Sequence, residues 1–142
     1  MDAVTLMIDG KKITAKKEMT VLEAALGAGI YIPNLCYHPD LSFFGACRLC
    51  MVHIEGIRGL PTACTTTAED GMTVRTDSPE VRRVRRVSLE LLIASHPADC
   101  LTCDKNLRCE LQILAAYLGI TEQHFRKETK STRVDLRNPL FV

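Results

Sequence analysis

The pattern of apolar and polar residues changes at Ser78. Before it, apolar and polar residues alternate over 3–15 on both sides of an Asp-Gly pair, which predicts two short strands joined by a tight turn. Apolar runs at 51–55, 60–66 and 72–76 predict further strand segments. Short strands, a crossing helix and a long ordered loop are typical of an α+β fold.

Three segments carry helical patterns, and the first two begin at recognisable caps. Thr20, followed three residues later by Glu23, forms the signature of a capping box. Ser78 precedes Pro79 and caps a second helix, which ends near Ser95. The apolar residues that recur in this helix at helical spacing are Val81, Val84, Val87, Leu91 and Leu92.

A third helix is predicted over 106–118, closed by Gly119. Its apolar side consists of Leu107, Leu111, Leu114 and Ala115. The chain is then polar and charged from Thr121 until a short apolar end, which indicates a linker or a partner-docking tail. We therefore divide the chain into a first domain at 1–77, a helical segment at 78–120 and a tail at 121–142.

Composition favours an ordinary globular protein with a small core. The chain is 46% hydrophobic, contains no Trp and has a net charge of +1, which gives no general attraction to nucleic acid or anionic lipid. No apolar run is long enough for a signal sequence or a membrane span, so we expect a cytoplasmic protein. Four arginines alternate with valines in the second predicted helix and indicate a solvated face or a docking surface for an acidic partner, rather than a nucleic-acid site. They are Arg82, Arg83, Arg85 and Arg86.

All seven cysteines and one histidine fall into two sets of four candidate ligands. Sets of this kind, with no cysteine left over, indicate two iron–sulfur clusters and therefore electron transfer. In a reducing compartment such cysteines favour metal binding over a disulfide framework. The first set is Cys36, Cys47, Cys50 and Cys64, and the second is His96, Cys100, Cys103 and Cys109.

The first set has the spacing C-x10-C-x2-C-x13-C. The central C-x2-C pair can hold one iron of a [2Fe-2S] cluster, while Cys36 and Cys64 hold the other. Plant-type ferredoxins have a shorter first gap, which excludes a standard plant ferredoxin. Gly45, two residues before Cys47, lets the backbone run close to the cluster so that N–H groups point at its sulfides. Arg48 either stabilises the anionic cluster or is solvated.

The second set has the spacing H-x3-C-x2-C-x5-C between two predicted helices. A [4Fe-4S] cluster has four corners, and only three thiolates lie here. The fourth iron therefore takes His96, a nonprotein group or nothing. An imidazole ligand is neutral where a thiolate is anionic, so it would favour the reduced cluster and raise its potential. Alternatively, His96 caps the helix end before Pro97.

Zinc is the main alternative to iron, because C-x2-C pairs also build zinc ribbons. The two pairs are far apart here and each has further ligands of its own, which favours two separate clusters. A zinc-binding interaction module stays the weaker alternative. The chain contains no phosphate loop, nucleophile elbow or H-E-x-x-H helix, so we expect no catalytic site within it. We expect surface or packing roles for His38, His53 and His124.

Four runs of residues carry a family resemblance. They are Ile32-Pro33-Asn34-Leu35-Cys36-Tyr37-His38-Pro39, Gly45-Ala46-Cys47-Arg48-Leu49-Cys50, His96-Pro97-Ala98-Asp99-Cys100-Leu101-Thr102-Cys103 and Arg108-Cys109-Glu110-Leu111-Gln112. Over nearly its whole length the chain resembles the amino-terminal region of the large iron–sulfur subunit of respiratory complex I. Iron-only hydrogenases and NAD-linked formate dehydrogenases share this region.

The resemblance implies a ferredoxin-like β-grasp domain with a [2Fe-2S] cluster, followed by a small helical segment with a [4Fe-4S] cluster. It also implies that His96 is a ligand. Family members work beside subunits that bind FMN or FAD and NAD(P), so the expected partners are such a subunit and other iron–sulfur subunits. Because no cysteine follows Cys109, we expect a short electron-wiring subunit of a hetero-oligomeric oxidoreductase. The expected types are a bifurcating transhydrogenase, a hydrogenase, a formate dehydrogenase or an NADH dehydrogenase. A freely diffusing ferredoxin-like shuttle is the alternative.

Overall fold

The computed structural model describes residues 3–97 and 99–127, which form a mixed four-stranded sheet, three α-helices and a short 3-10 helix. The sheet order is β2-β1-β4-β3, with β1 parallel to β4 and the other neighbours antiparallel. This confirms the predicted α+β class with a ferredoxin-like first part. The elements are β1 (Ala3–Ile8), β2 (Lys11–Lys16), α1 (Val21–Gly27), β3 (His53–Ile54), β4 (Thr73–Arg75), α2 (Pro79–Ala94), the 3-10 helix Cys100–Thr102 and α3 (Glu110–Tyr117).

The predicted hairpin and capping box are both present. Ile8 pairs with Lys11 across a turn at Asp9 and Gly10, and both turn residues have positive φ. At the start of α1, the Thr20 side chain accepts a hydrogen bond from the backbone N–H of Glu23, while the Glu23 carboxylate accepts one from the Thr20 N–H at 2.7 Å. The inward residues of the hairpin and of α1 share one core.

The segment 60–66 is not a strand. Its contact with the β region is an isolated bridge between Met51 and Thr62. The backbone of 60–66 instead forms hydrogen bonds with the loop before β3 and with α1. The Val52 N–H donates to the Pro61 carbonyl at 3.0 Å, and the Leu22 N–H donates to the Ala63 carbonyl at 3.0 Å. The segment is therefore a connector held between two other elements.

Helix α2 begins at its predicted cap, since the Ser78 hydroxyl accepts a hydrogen bond from the Val81 N–H. Its buried face differs from the prediction. Val87 and Leu91 are exposed, and the buried side chains of α2 are Val81, Arg85, Leu89, Glu90 and Ala94. The arginines were expected to lie on a solvated or docking face, so this expectation is wrong for Arg85. The buried stripe follows i, i+4 spacing through Arg85 because this side chain finds acceptors inside the protein.

Helix α3 begins at Glu110, later than predicted. Leu107 has φ 65°, a left-handed conformation that interrupts helical geometry. Its side chain is 92% exposed rather than part of an apolar face. The Leu107 N–H donates to the Gln112 side-chain oxygen at 3.1 Å, which ties this loop to the first turn of α3.

The two halves of the chain share a core. Leu49, from the first C-x2-C loop, is fully buried with Leu89 of α2 and Leu114 of α3. Tyr31 also packs edge-on against Tyr117, with ring centroids 5.5 Å apart. The boundaries at 1–77, 78–120 and 121–142 stay a prediction, and the last part of the tail, 128–142, lies outside the described residues.

Across the described part of the chain, no helix has the length and apolar character needed to cross a membrane.

Candidate metal centres

The first set of cysteines joins two segments: Cys36, Cys47 and Cys50 lie on the loop that precedes β3, and Cys64 lies after β3. Three of its thiols are buried, with exposed fractions of 7% at Cys47, 1% at Cys50 and 2% at Cys64. Cys36 is exposed. The Cys36 side chain is hydrogen-bonded to Cys47, and the Cys50 side chain to Cys64, while Cys47 and Cys50 also interact electrostatically. The four sulfur atoms therefore form two contact pairs.

This pairing differs from the one expected from the spacing. The sequence suggested that Cys47 and Cys50 share one iron, whereas the contacts group Cys36 with Cys47 and Cys50 with Cys64. Among residues 3–97 and 99–127, no three His, Cys, Asp or Glu side chains converge as a site for one metal ion. Two neighbouring pairs fit a two-iron cluster, in which each iron takes two protein ligands.

Backbone hydrogen bonds hold Cys50 and Cys64 together. The Ala63 N–H, next to Cys64, donates to the Cys50 carbonyl at 2.9 Å. The Ala63 carbonyl in turn accepts from Leu22 at the start of α1, and the Val21 N–H donates to the Thr66 carbonyl at 2.8 Å. Because α1 belongs to the main core, the position of this cysteine pair follows from the packing of the sheet and its helix.

Backbone N–H groups point at the sulfur atoms, as predicted. The N–H groups of Cys47 and Ala46 donate to Cys36, and the Cys64 N–H donates to Cys50. Gly45 has φ 64°, and a Cβ built there would lie 3.1 Å from the Thr65 methyl carbon. A side chain at Gly45 would strain this close approach. Such N–H donors stabilise anionic sulfur and thereby tune a bound cluster.

The burial of these thiols perturbs their acidity. Desolvation raises the pKa of Cys50 to about 12, and desolvation also raises the pKa of Cys47. At Cys36, desolvation raises the pKa, but hydrogen bonds outweigh this effect and lower the pKa overall. The donors are the N–H groups of Cys47 and Ala46 and the Cys47 thiol. Since a metal binds the thiolate, cluster binding releases the protons of the Cys47 and Cys50 thiols.

Two arginines lie beside this loop in different settings. Arg48, inside the C-x2-C pair, is exposed and has φ 57°. Arg85 of α2 is 3% exposed, and its guanidinium donates to the carbonyls of Leu49 at 2.8 Å and Met51 at 2.7 Å. Burial lowers the pKa of Arg85, although an arginine stays protonated at neutral pH. The sequence did not distinguish Arg85 from its neighbours, because both carbonyls lie in a distant loop.

The second set surrounds a cavity of about 230 Å³ between the end of α2 and the start of α3. The structure brings all four predicted ligands to it and places His96 on the cavity wall, and the role of His96 as a ligand stays a prediction. The residues that line the cavity are His96, Pro97, Asp99, Cys100, Thr102, Cys103, Asn106, Cys109 and Gln112.

The loop around this cavity is held mainly by local hydrogen bonds. The Cys103 N–H donates to the Cys100 carbonyl at 3.2 Å, and the Asn106 N–H donates to the Cys103 carbonyl at 3.0 Å. Cys100 and Cys103 are exposed, and Cys109 is half-buried at the start of α3. Leu101, between the first two cysteines, is almost fully exposed. Few apolar contacts therefore restrain the second set of ligands.

The other three histidines lie outside both ligand sets. The Asp40 N–H donates to exposed His38, and His53 has a buried Nδ1 atom without a hydrogen-bond partner among the described residues. His124 contacts the buried carboxylate of Glu90, with 3.0 Å between Nδ1 and Oε2. His124 thus holds the start of the predicted tail against α2.

Family models match both halves of the chain. A model described as "2Fe-2S iron-sulfur cluster binding domain" matches residues 1–79. A model described as "NADH-ubiquinone oxidoreductase-G iron-sulfur binding region" matches residues 85–124 and concerns a [4Fe-4S] cluster. The predicted cofactors, one [2Fe-2S] and one [4Fe-4S] cluster, are therefore confirmed at the level of the binding regions.

Curated relatives are much longer than this chain. NADPH-Fe(3+) oxidoreductase subunit alpha of Geobacter sulfurreducens is 45% identical over 86% of this chain and 14% of the relative. NADP-reducing hydrogenase subunit HndD of Solidesulfovibrio fructosivorans is 41% identical over 93% of this chain and 25% of the relative. The similarity thus concerns one region of each relative.

A solved structure agrees with both halves. A chain of an NAD+-reducing [NiFe]-hydrogenase in the H2-reduced state superposes with a TM-score of 0.86 at 40% identity, covering 96% of this chain and 57% of that chain. The ferredoxin-like sheet, the cysteine pairs and the family match agree with one another. The chain belongs to the 2Fe-2S iron-sulfur cluster binding domain family and carries next to that domain an iron–sulfur binding region of the NADH-ubiquinone oxidoreductase G type.

Proposed function

We propose that this chain passes single electrons between a flavin- and NAD(P)-binding partner and other redox centres of a multisubunit oxidoreductase. The convergence of the first four cysteines as two contact pairs carries the proposal. Iron–sulfur clusters supply one-electron chemistry when they are bound. The residues of the chain hold, orient and shield the clusters, and the substrate chemistry belongs to partner subunits.

In the first site, we assign Cys36 and Cys47 to one iron and Cys50 and Cys64 to the other. The contact pairs support this assignment over one that joins the two cysteines of the C-x2-C motif. A zinc ion would need all four sulfur atoms around one point at about 2.3 Å. Two pairs with N–H donors fit a two-iron cluster better.

In the second site, we assign His96, Cys100, Cys103 and Cys109 to the four irons of a [4Fe-4S] cluster. All four residues line one cavity of about 230 Å³, which supports a shared ligand set. This volume is several times the ~30 Å³ that one water molecule occupies in the liquid. The cavity therefore has room for a group much larger than a single ion.

The relatives support a role inside a complex. Their names describe subunits of an NADPH-Fe(3+) oxidoreductase and of an NADP-reducing hydrogenase. Next to the first site, Leu41 and Phe44 expose large apolar side chains, and Leu101 and Leu107 do so at the second site. Apolar side chains of this size beside redox sites suit contact with partner subunits. We therefore propose a hetero-oligomer with a flavin subunit and other iron–sulfur subunits.

Spectroscopy of anaerobically prepared protein tests the cofactor assignment. We expect iron and acid-labile sulfide, a brown colour that bleaches on reduction, and separate electron paramagnetic resonance signals from the two clusters. Colourless protein that contains zinc, with neither iron nor labile sulfide after anaerobic reconstitution, would overturn the proposal.

Isolation from native cells with a tag on this chain tests the wiring role. Copurification of a flavin-containing subunit that reduces the clusters with NADH or NADPH would support it. A monomer that carries both clusters and exchanges electrons by free diffusion would support the ferredoxin-like shuttle instead. None of the seven cysteines forms a disulfide, as is usual in a reducing compartment, so we also propose a cytoplasmic location, to be checked by cell fractionation.

A further inference from the structure

Arg85 connects α2 to the loop that carries the first ligand set. Its Nε donates to the Leu49 carbonyl at 2.8 Å, and one Nη donates to the Met51 carbonyl at 2.7 Å. Leu49 and Met51 are the residues on either side of Cys50. Two donors of this buried guanidinium therefore bind the carbonyls on either side of Cys50. These hydrogen bonds restrain the backbone at this candidate ligand.

The geometry of the peptide explains the restraint. The Leu49 carbonyl and the Cys50 N–H belong to one planar trans unit, so they point in opposite directions. By holding this carbonyl, Arg85 sets the direction of the Cys50 N–H. The Cys50 carbonyl is held by the Ala63 N–H at 2.9 Å. The backbone at Cys50 is therefore fixed from both sides, by α2 and by the segment that contains Cys64.

The charge of Arg85 is also placed to act on the site. Within residues 3–97 and 99–127, no carboxylate lies within 4 Å of the Arg85 guanidinium, while Asp77 pairs with Arg82. Asp77 and Asp9 act on Arg85 from a greater distance, and so does Cys50. A desolvated cation interacts more strongly with nearby charge than a solvated one. A reduced cluster carries one more negative charge than an oxidised one, so a nearby cation favours the reduced form.

We propose that Arg85 is a positioning residue for the [2Fe-2S] site, which fixes the Cys50 peptide and raises the reduction potential of the cluster. The inference rests on the proposed assignment of Cys36, Cys47, Cys50 and Cys64. It gives α2 a role in both sites, because the same helix ends at Ala94, two residues before His96.

The test compares Arg85→Met, Arg85→Gln and Arg85→Lys with a matched control, Arg83→Met, in the full chain with both clusters reconstituted. Arg83 lies on the exposed side of the same helix. Potentiometric titration followed by electron paramagnetic resonance reports each cluster separately. We expect the [2Fe-2S] potential to fall in the Met and Gln variants, with the [4Fe-4S] potential unchanged. In the Lys variant the [2Fe-2S] potential should fall less than in the Met and Gln variants, because the positive charge is kept. Its g values should change, because an ammonium group cannot reproduce the planar pair of donors.

Three outcomes overturn the inference. One is a Met or Gln variant with full [2Fe-2S] content and the potential and g values of the wild type. Another is an equal change in the Arg83→Met control. The third is loss of both clusters and of helix content in every Arg85 variant, which would mean that Arg85 serves the fold alone. Wild-type protein without a [2Fe-2S] signal would instead contradict the proposed function, so the two failures are distinguishable.

Discussion

The two candidate metal centres differ in what holds their ligands. At the first, Cys47, Cys50 and Cys64 are buried, and residues beside Cys50 and Cys64 are hydrogen-bonded to Arg85 and to α1. At the second, Cys100 and Cys103 are exposed on a turn whose hydrogen bonds join near neighbours in the sequence. The sheet and α1 pack one ligand set into the protein, whereas the other lies on a connection between two helices.

This difference indicates how each site depends on its cluster. A buried, hydrogen-bonded loop is kept in place by the fold, so the first site is largely formed before metal binds. An exposed loop with few apolar contacts has low local stability. In the second site, binding of the cluster must therefore supply much of the order of the loop. Variants at the two sites should separate these cases.

Replacing Cys47 with Ser should have the largest effect. Cys47 is a proposed ligand and also packs with Leu49 and Leu89. We expect loss of nearly all of the [2Fe-2S] signal, because a ligand is lost. We also expect lower soluble yield and a lower melting temperature, because a hydroxyl replaces a buried thiol in the core. Iron and sulfide analysis, electron paramagnetic resonance and circular dichroism measure these effects.

Cys103→Ser is the matched variant at the second site. Because Cys103 is exposed, we expect loss of the [4Fe-4S] signal while the [2Fe-2S] signal and the strand content persist. Equal unfolding in both variants would contradict the difference between the sites. A soluble Cys47→Ser protein with normal iron content would contradict the ligand assignment.

Replacing Leu49 with Ala should weaken the contact between the two halves. Leu49 is fully buried with residues of α2 and α3, and deletion of such a side chain costs about 2–5 kcal/mol of unfolding free energy. We expect this loss together with changed spectra of both clusters. Denaturant unfolding measures the free energy. Leu107→Ala is the control, because replacing this exposed side chain should cost less than about 0.5 kcal/mol of unfolding free energy. Unchanged stability in Leu49→Ala would mean that the two halves are independent.

Replacing His96 with Cys should change the second cluster alone. An anionic thiolate in place of a neutral imidazole adds negative charge, so the [4Fe-4S] potential should fall by on the order of 100 mV while the [2Fe-2S] potential stays constant. Redox titration monitored by electron paramagnetic resonance measures both. His124→Gln, outside both ligand sets, should leave both potentials unchanged. An unshifted [4Fe-4S] potential in His96→Cys would exclude His96 as a ligand.

The helix caps should give the smallest effects. Loss of the Ser78 cap of α2 should cost about 1 kcal/mol of unfolding free energy. Thr20→Ala should cost about 2 kcal/mol, because Thr20 is buried and shares a capping box with Glu23. Thermal unfolding with both clusters intact measures these costs. A larger loss in Ser78→Ala than in Thr20→Ala would reverse the order expected from burial.

The parts of the fold that depend on neighbouring residues were predictable. The hairpin around Gly10, the capping box at Thr20 and the start of α2 at Ser78 each follow from side chains within a few positions of one another. The strand predicted at 60–66 was wrong, because its backbone partners are the loop before β3 and the first turn of α1. The late start of α3 was also not predicted, since Leu107 is left-handed and its N–H donates to the side-chain oxygens of Asn106 and Gln112.

The amino-acid sequence by itself determined the number and type of candidate ligands and their division into two sets, because spacing and side-chain chemistry are local properties. Only the tertiary structure decided how the cysteines pair, which arginine of α2 is buried, and how Leu49 joins the two halves. These features arise from contacts between residues far apart in the chain. Periodicity cannot locate the partner of such a contact, so Arg85 looks like its solvated neighbours until the two carbonyls that it binds are in place.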